Sequence, residues 1–277
     1  MSRTVLITGC SSGIGRAAAL GMQARGWRVF ATARKPEDIA DLKANGLEAL
    51  YLDYTETDSI AAAAESVLSA TGGSLDALFN NGAYAQPGAL EDISTSVLRQ
   101  QFEANFFGWH DLTRRVIPAM RKEGRGRIVM CSSILGLVAM GFRGPYTATK
   151  FAVEAYCDTL RIELGGSGIS VSVIEPGPIR TRFTQTALAH ARRNIDVENS
   201  VHAAYYRRRL SAMERGGNTA GELGPEAVLK ALVHACESPR PRPQYFVTWP
   251  TPAMSLIKRL ATKRQLTAFL AWATHRE

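Results

Sequence analysis

Cysteine is scarce in this chain: Cys10, Cys131, Cys157 and Cys236 are the four, far apart, with no Cys-x-x-Cys pair and no accompanying histidine cluster. That scatter argues against a disulfide framework and a zinc site, and leaves reduced thiols that pack in a core; no metal ligands are assigned. Long apolar runs are missing too, since none reaches the roughly 18 residues of a membrane span. The opening Met1-Ser2-Arg3-Thr4 leads into a strand pattern rather than a signal peptide, so a cytoplasmic protein is expected. Acidic residues are outnumbered 25 to 33 by lysine and arginine, for a net charge of +8, yet the basic residues are dispersed apart from Arg207-Arg208-Arg209. Dispersed charge is no nucleic-acid footprint; solvated helix faces or a phosphate-bearing cofactor account for it. Repeats and low-complexity segments are also absent.

What is present is enough for one large core: 277 residues, 45% of them hydrophobic, read here as a single domain over 1–277. Residues 4–8 are a β-branched run that breaks into Gly9-Cys10-Ser11-Ser12-Gly13-Ile14-Gly15, and 16–25 reads as a helix stopped by Gly26. Glycines at a strand-to-helix junction let the backbone approach a pyrophosphate, and the helix amino terminus offers N–H groups and a favourable dipole to the anion. The plain alternative is an ordinary glycine-rich turn. Further strands are predicted at 28–34, 47–53, 75–79, around 128, at 169–174 and at the edge, 244–249; helices are predicted at 36–44, 57–70 and 94–122, the last broken near Gly108 or Pro118. Such alternation specifies an α/β fold, a doubly wound parallel sheet with helices on both faces and right-handed crossovers.

Tyr146 and Lys150 lie four residues apart in a helical stretch, on one face and a turn apart. An ammonium near a phenol favours the phenolate, which would make Tyr146 a general acid/base. Ser133 ends an apolar strand, where open α/β sheets hold their ligands, and could hydrogen-bond a substrate oxygen alongside Tyr146. Alone, the pair also reads as a half-buried ring beside a solvated amine.

In order, these motifs resemble the short-chain dehydrogenase/reductase family, from residue 4 to about residue 184. The family's Thr-Gly-x-x-x-Gly-x-Gly matches Thr8, Gly9, Gly13, Ile14 and Gly15, so the resemblance implies a dinucleotide held by Gly9, Ser11, Ser12, Gly13, Ile14 and Gly15. It implies an adenine contact at Asp53, a ribose contact at Asn81, and a catalytic tetrad of Asn105, Ser133, Tyr146 and Lys150. In that scheme Lys150 also holds the nicotinamide ribose and Asn105 steadies a water linking Lys150 to solvent. The segment Pro176-Gly177-Pro178-Ile179-Arg180-Thr181 looks like the one that holds the carboxamide through Ile179 and Thr181. One departure is Asn80-Asn81-Gly82-Ala83 where the family has Asn-Asn-Ala-Gly, which moves a Cβ by one residue beside the ribose.

The implied reaction is hydride transfer between nicotinamide C4 and a carbonyl carbon, with Tyr146 exchanging a proton with the oxygen. NAD-preferring members carry an acid at the end of the second strand; this chain has Ala33, Arg34 and Lys35, and Arg34 suits a 2′-phosphate, favouring NADP(H) over NAD(H). The tract from Glu175 to Phe183 and the Trp249 region look most like members that reduce retinal, steroid ketones or other apolar carbonyls. A 3-oxoacyl carrier-protein reductase is the alternative enzyme, and a non-catalytic NADP-binding regulatory protein the alternative outside enzymes. Residues 134–142 and a lid over 181–221 are expected to wall the substrate. The 251–277 extension holds a basic amphipathic pattern from 255 to 272, read as packing on the domain or a second subunit in preference to an anionic membrane surface. A homodimer or homotetramer is implied by resemblance.

Overall fold

The computed structural model describes residues 2–216 and 221–276. Residues 217–220 of the expected lid, and the terminal residues 1 and 277 of the expected domain, lie outside the described residues. The first half runs β1 (Thr4–Ile7), α1 (Gly13–Ala24), β2 (Arg28–Ala33), α2 (Pro36–Ala44), β3 (Glu48–Tyr51), α3 (Thr57–Ala70) and β4 (Ala77–Asn80). Next come α4 (Thr95–Phe102), α5 (Gly108–Lys122), β5 (Gly126–Cys131), α6 (Gly144–Glu163) and β6 (Ile169–Pro176). The chain finishes with α7 (Phe183–Asn194), α8 (Ala203–Arg215), α9 (Glu226–Glu237), β7 (Gln244–Val247), α10 (Pro250–Leu260) and α11 (Lys263–Arg276).

All seven strands are parallel, in the order β3-β2-β1-β4-β5-β6-β7. The strands are buried on both sides, as continuous apolar runs require: Val5, Leu6 and Ile7 of β1 and Ala77, Leu78 and Phe79 of β4 have no exposed surface. Helices flank the sheet, α1 packed on α9 and α3 on α5. The first contact is close enough to demand glycine, because a Cβ on Gly21 would lie 2.1 Å from Leu229 Cδ2. The strand order reverses between β1 and β4, and the chain leaves their carboxyl ends toward opposite sides. A crevice opens there.

Two of the expected helical stretches are interrupted, the first near Gly108 as expected and the second where one continuous pattern was read. The 94–122 region starts where its cap predicts, with Ser94 Oγ accepting from Val97 N at 3.4 Å, but α4 and α5 are joined by one turn of π-helix, Glu103–Phe107, while Pro118 stays inside α5. The interruption falls before Gly108 because α5 there meets β3's exit: a Cβ on Gly108 would lie 2.4 Å from the Tyr54 carbonyl oxygen. The 255–272 pattern divides into α10 and α11. Thr262 is the reason, since its Oγ1 accepts from Gln265 N at 3.3 Å while Gln265 Oε1 accepts from Thr262 N at 2.9 Å, a reciprocal cap that starts a new helix.

Candidate active site

The turn after β1 is shaped by glycine. Gly9 and Gly13 have φ of +69° and +55°, a region that penalises any Cβ. A Cβ on Gly9 would also lie 2.5 Å from Gly82 Cα, and one on Gly13 would lie 2.8 Å from Thr181 Cγ2, so the turn is pressed between the exits of β4 and β6. Gly9, Ser11, Ser12, Gly13 and Ile14 face a cavity of about 910 Å³ at the carboxyl edge of the sheet. Gly15 does not face it. A Cβ there would lie 2.2 Å from the Gly9 carbonyl oxygen, so Gly15 permits the helix to close on the turn and is a packing residue rather than the expected contact.

Thr8 knits this turn to β4. Its Oγ1 accepts from Asn81 N (2.9 Å), Gly82 N (3.1 Å) and the Tyr54 hydroxyl (2.8 Å), and Asn81 Nδ2 donates to the Thr8 carbonyl at 3.0 Å. Asn81, Gly82 and Ala83 all reach the cavity wall. The order Asn-Asn-Gly-Ala has a local reason: Tyr54 Cε2 would stand 3.2 Å from a Cβ on residue 82, closer than most side-chain contacts, so glycine there makes room for the buried ring.

Ser133, Tyr146 and Lys150 meet on the opposite wall of the same cavity. Ser133 lies two residues past the end of β5, and its Oγ accepts from Leu135 N at 3.1 Å as the chain turns away. Tyr146 and Lys150 project from the first turns of α6, 8% and 1% exposed. Lys150 Nζ donates to the Cys131 carbonyl at 2.7 Å and lies 4.4 Å from the centre of the Trp109 ring, so a strand end and an aromatic face hold it. Burial pulls the Lys150 amine down to about 8. Burial pushes the Tyr146 phenol above its ordinary value, opposed by a hydrogen bond with Ser133. The expected depression of Tyr146 by Lys150 is not seen in the protein alone, where desolvation is the largest influence and Ser133 is the group that opposes it.

Asn105 is held by the loop after β4. Its Nδ2 donates to the Tyr84 carbonyl at 2.8 Å and to Thr149 Oγ1 at 3.4 Å, while its Oδ1 accepts from Tyr84 N at 3.1 Å. With the side chain fully buried behind the wall, Asn105 clamps the loop after β4 instead of reaching toward Lys150. Residue 105 lies within the π-turn Glu103–Phe107.

At the other end of the cavity, Asp53 Oδ1 accepts from Thr55 N and Oγ1, both at 2.9 Å, and its Oδ2 lies 3.5 Å from Arg34 Nη1. Arg34 is 65% exposed at the rim and paired with Asp53. Pro176, Gly177, Ile179 and Thr181 all line the cavity, and a Cβ on Gly177 would lie 2.3 Å from Thr248 Oγ1.

The expected lid is two helices that roof the cavity. Phe183 and Ala187 of α7 and Tyr206, Leu210 and Met213 of α8 face it, with Leu135, Met140 and Phe142 below. The roof is fastened to the loop after β4, where the Tyr206 hydroxyl donates to Asp92 Oδ2 and accepts from Ala89 N, each at 2.7 Å. Phe183 and Tyr206 fell within the expected lid, whereas Tyr54, Tyr84 and Trp109 also shape the site and sequence reasoning assigned none of those three a role there. No local pattern marks them, since each acts through a partner distant in the chain.

Comparison with known proteins agrees with this geometry. A family model described as short chain dehydrogenase matches residues 3–192. The uncharacterized oxidoreductase YbbO of Escherichia coli is 43% identical over 270 residues, 98% of this chain and 94% of that protein. Human retinol dehydrogenase 8 is 34% identical over 247 residues, 86% of this chain and 79% of that protein. Among solved structures, an actinorhodin polyketide ketoreductase with NADPH superposes with a TM-score of 0.71 at 26% identity, over 88% of this chain and 95% of the ketoreductase.

Proposed function

The chain belongs to the short-chain dehydrogenase/reductase family, and from that premise we propose that it moves hydride between NADP(H) and an apolar aldehyde or ketone, or the corresponding alcohol. One observation carries the reading: Ser133, Tyr146 and Lys150 share a cavity with the glycine turn that suits a pyrophosphate. The fit to a dinucleotide rests on the turn itself, whose backbone is bare where Gly9 and Gly13 allow no Cβ. Gly9, Ser11, Ser12, Gly13 and Ile14 would hold the phosphates, Asp53 the adenine end, and Ile179 and Thr181 the nicotinamide end. When bound, the nicotinamide supplies or accepts the hydride.

The chain's own groups do the rest. Ser133 orients the substrate oxygen, and Tyr146 holds the proton that passes to or from it. Lys150 brings an ammonium into the same wall, where it favours the phenolate and can hold a ribose hydroxyl. Leu135, Met140, Phe142, Leu210 and Met213 exclude water and favour an apolar substrate, in keeping with the likeness to retinol dehydrogenase 8. Arg34, with no acid at the end of β2, supports NADP(H), as does the likeness to a ketoreductase with NADPH.

A panel of apolar aldehydes and ketones, followed by loss of NADPH absorbance, tests the reading. Tyr146→Phe should keep the fold and cofactor affinity and lose ~10²- to 10⁴-fold in turnover. A Phe variant with half the parent's activity, or no turnover across the panel despite cofactor binding, would overturn the catalytic assignment.

A further inference from the structure

We propose that α10 and α11 form a docking face for an anionic lipid surface beside the cavity mouth. From Pro250 to Arg276 the chain holds no aspartate or glutamate, while Lys258, Arg259, Lys263 and Arg264 cluster at the junction of the two helices. Both helices are already seated. Thr251 and Leu266 are buried, and Met254 and Leu270 pack against a small apolar cluster around Leu137 and Val138. Other apolar side chains stay exposed beside that packing: Leu256 is 58% exposed, Leu260 77%, Phe269 40% and Trp272 52%. Leu256 and Leu260 stand one turn apart on one face of α10, and the Phe269 and Trp272 rings lie 5.9 Å apart on α11.

Single exposed leucines are ordinary on a protein surface, but exposed apolar groups interspersed along two helices with cations, and with no acid among them from 250 to 276, mark a face with a partner. A second copy of this chain is a poor partner. A two-fold contact would bring this face against itself, so the four cations would meet four more across a partly dry interface. An anionic bilayer supplies both complements, negative headgroups for the cations and hydrocarbon for leucine, phenylalanine and tryptophan. No described helix is long and apolar enough to cross a membrane, so the face lies on the surface rather than through it.

The position is informative as well. Trp249 and Pro250 line the cavity and lead directly into α10, and Trp249 is itself 66% exposed. On the α11 side, Gly141 N donates to Thr274 Oγ1 at 3.1 Å, which fastens that helix to the 140–142 wall of the same cavity. A bilayer docked on this face would stand at the entrance. The benefit for an apolar substrate rests on the proposed function; the docking does not.

Flotation of the full chain with vesicles of phosphatidylglycerol and phosphatidylcholine, against phosphatidylcholine alone, tests the proposal without reference to turnover. The protein should rise with the anionic vesicles only and be released by high salt. Each basic residue near an anionic surface is worth about fivefold in partitioning, so the combined Arg259→Glu, Lys263→Glu and Arg264→Glu variant should lose at least about a hundredfold. Leu256→Ser with Leu260→Ser should weaken binding independently. Thermal unfolding checks that the variants remain folded. On the unmodified protein, brominated anionic lipid should quench tryptophan fluorescence, which serves if a variant fails to fold. A parent that stays at the bottom of the gradient, equal flotation with neutral lipid, absence of quenching, or folded variants that float as the parent does would each overturn the proposal. So would light scattering that shows the variants dissociating a parent oligomer while vesicle binding persists.

Discussion

Lys150 illustrates how far burial can move a side chain from its solution behaviour. Enclosed by Trp109 and the Cys131 carbonyl, its ammonium is held at the cost of desolvation, which brings it down to about 8. A lowered folded value means that the proton leaves earlier as pH rises. The kcat/KM profile should therefore fall above about pH 8, reporting the free enzyme, and Lys150→Met should abolish that limb while weakening cofactor binding. A limb unchanged in the variant would assign it elsewhere. At the rim, Arg34→Ala should weaken NADPH by roughly tenfold, the low end for a charge-assisted contact, because Asp53 already shares the guanidinium. Asp53→Asn should free Arg34 and raise the preference for NADPH, whereas Ala33→Asp should move it toward NADH through repulsion. Ratios of catalytic efficiency with the two cofactors decide both. That Ser133, Tyr146 and Lys150 share one cavity was legible in a short helical spacing and a strand end. Tyr54 and Trp109 were not, since Tyr54 owes its position to hydroxyl contacts with Thr8 and Asn80 and Trp109 to donating to the Gly82 carbonyl at 2.8 Å, contacts that only the closed sheet creates. Asn105 was legible as a residue to watch, but its partner Tyr84 depended on a π-turn that no periodicity announces.

Among the elements, the helices at 36–44 and 57–70 were read from sequence with the bounds they have in the structure, and the strands to within a few residues, because buried parallel strands are continuous apolar runs. The roof was legible only as a segment without clean periodicity. Its helices bury few side chains, Ala187 and Ala191 from α7 and Tyr206 from α8, a stripe too narrow to register against so many arginines. Such an element depends on individual fastenings. Tyr206→Phe removes a hydroxyl bonded to both Asp92 and Ala89, and should destabilise the protein by about 1–2 kcal/mol. Substrate KM should rise several-fold with kcat nearly constant, since Tyr206 is bonded to the loop after β4 rather than to Ser133, Tyr146 or Lys150. Steady-state kinetics and thermal melts read the two effects separately; a fall in kcat alone would place Tyr206 in the chemistry.

Across the whole molecule, Glu237 at the end of α9 ties the start of the chain to its last third. It accepts from Arg25 Nε at 2.9 Å and Trp27 Nε1 at 3.0 Å, with Arg3 at 3.4 Å, and the Arg25 hydrogen bond holds its carboxyl down at about 2. A depressed folded value adds stability above the ordinary carboxylate range, lost as pH falls toward about 2. Glu237→Gln should therefore flatten acid destabilisation below about pH 4.5, by about 1 kcal/mol for an ion pair so open to solvent, measured by denaturant melts across pH. The strand order β3-β2-β1-β4-β5-β6-β7 carries a different consequence, for the chain as it leaves the ribosome. β2 and β3 extend the sheet outward from one side of β1, and β4 to β7 extend it from the other, so each new strand joins an open edge and none must be threaded between two already paired. The fold can grow in the order of synthesis, and the cavity, whose walls run from Gly9 to Pro250, is completed only as the last strand and α10 arrive.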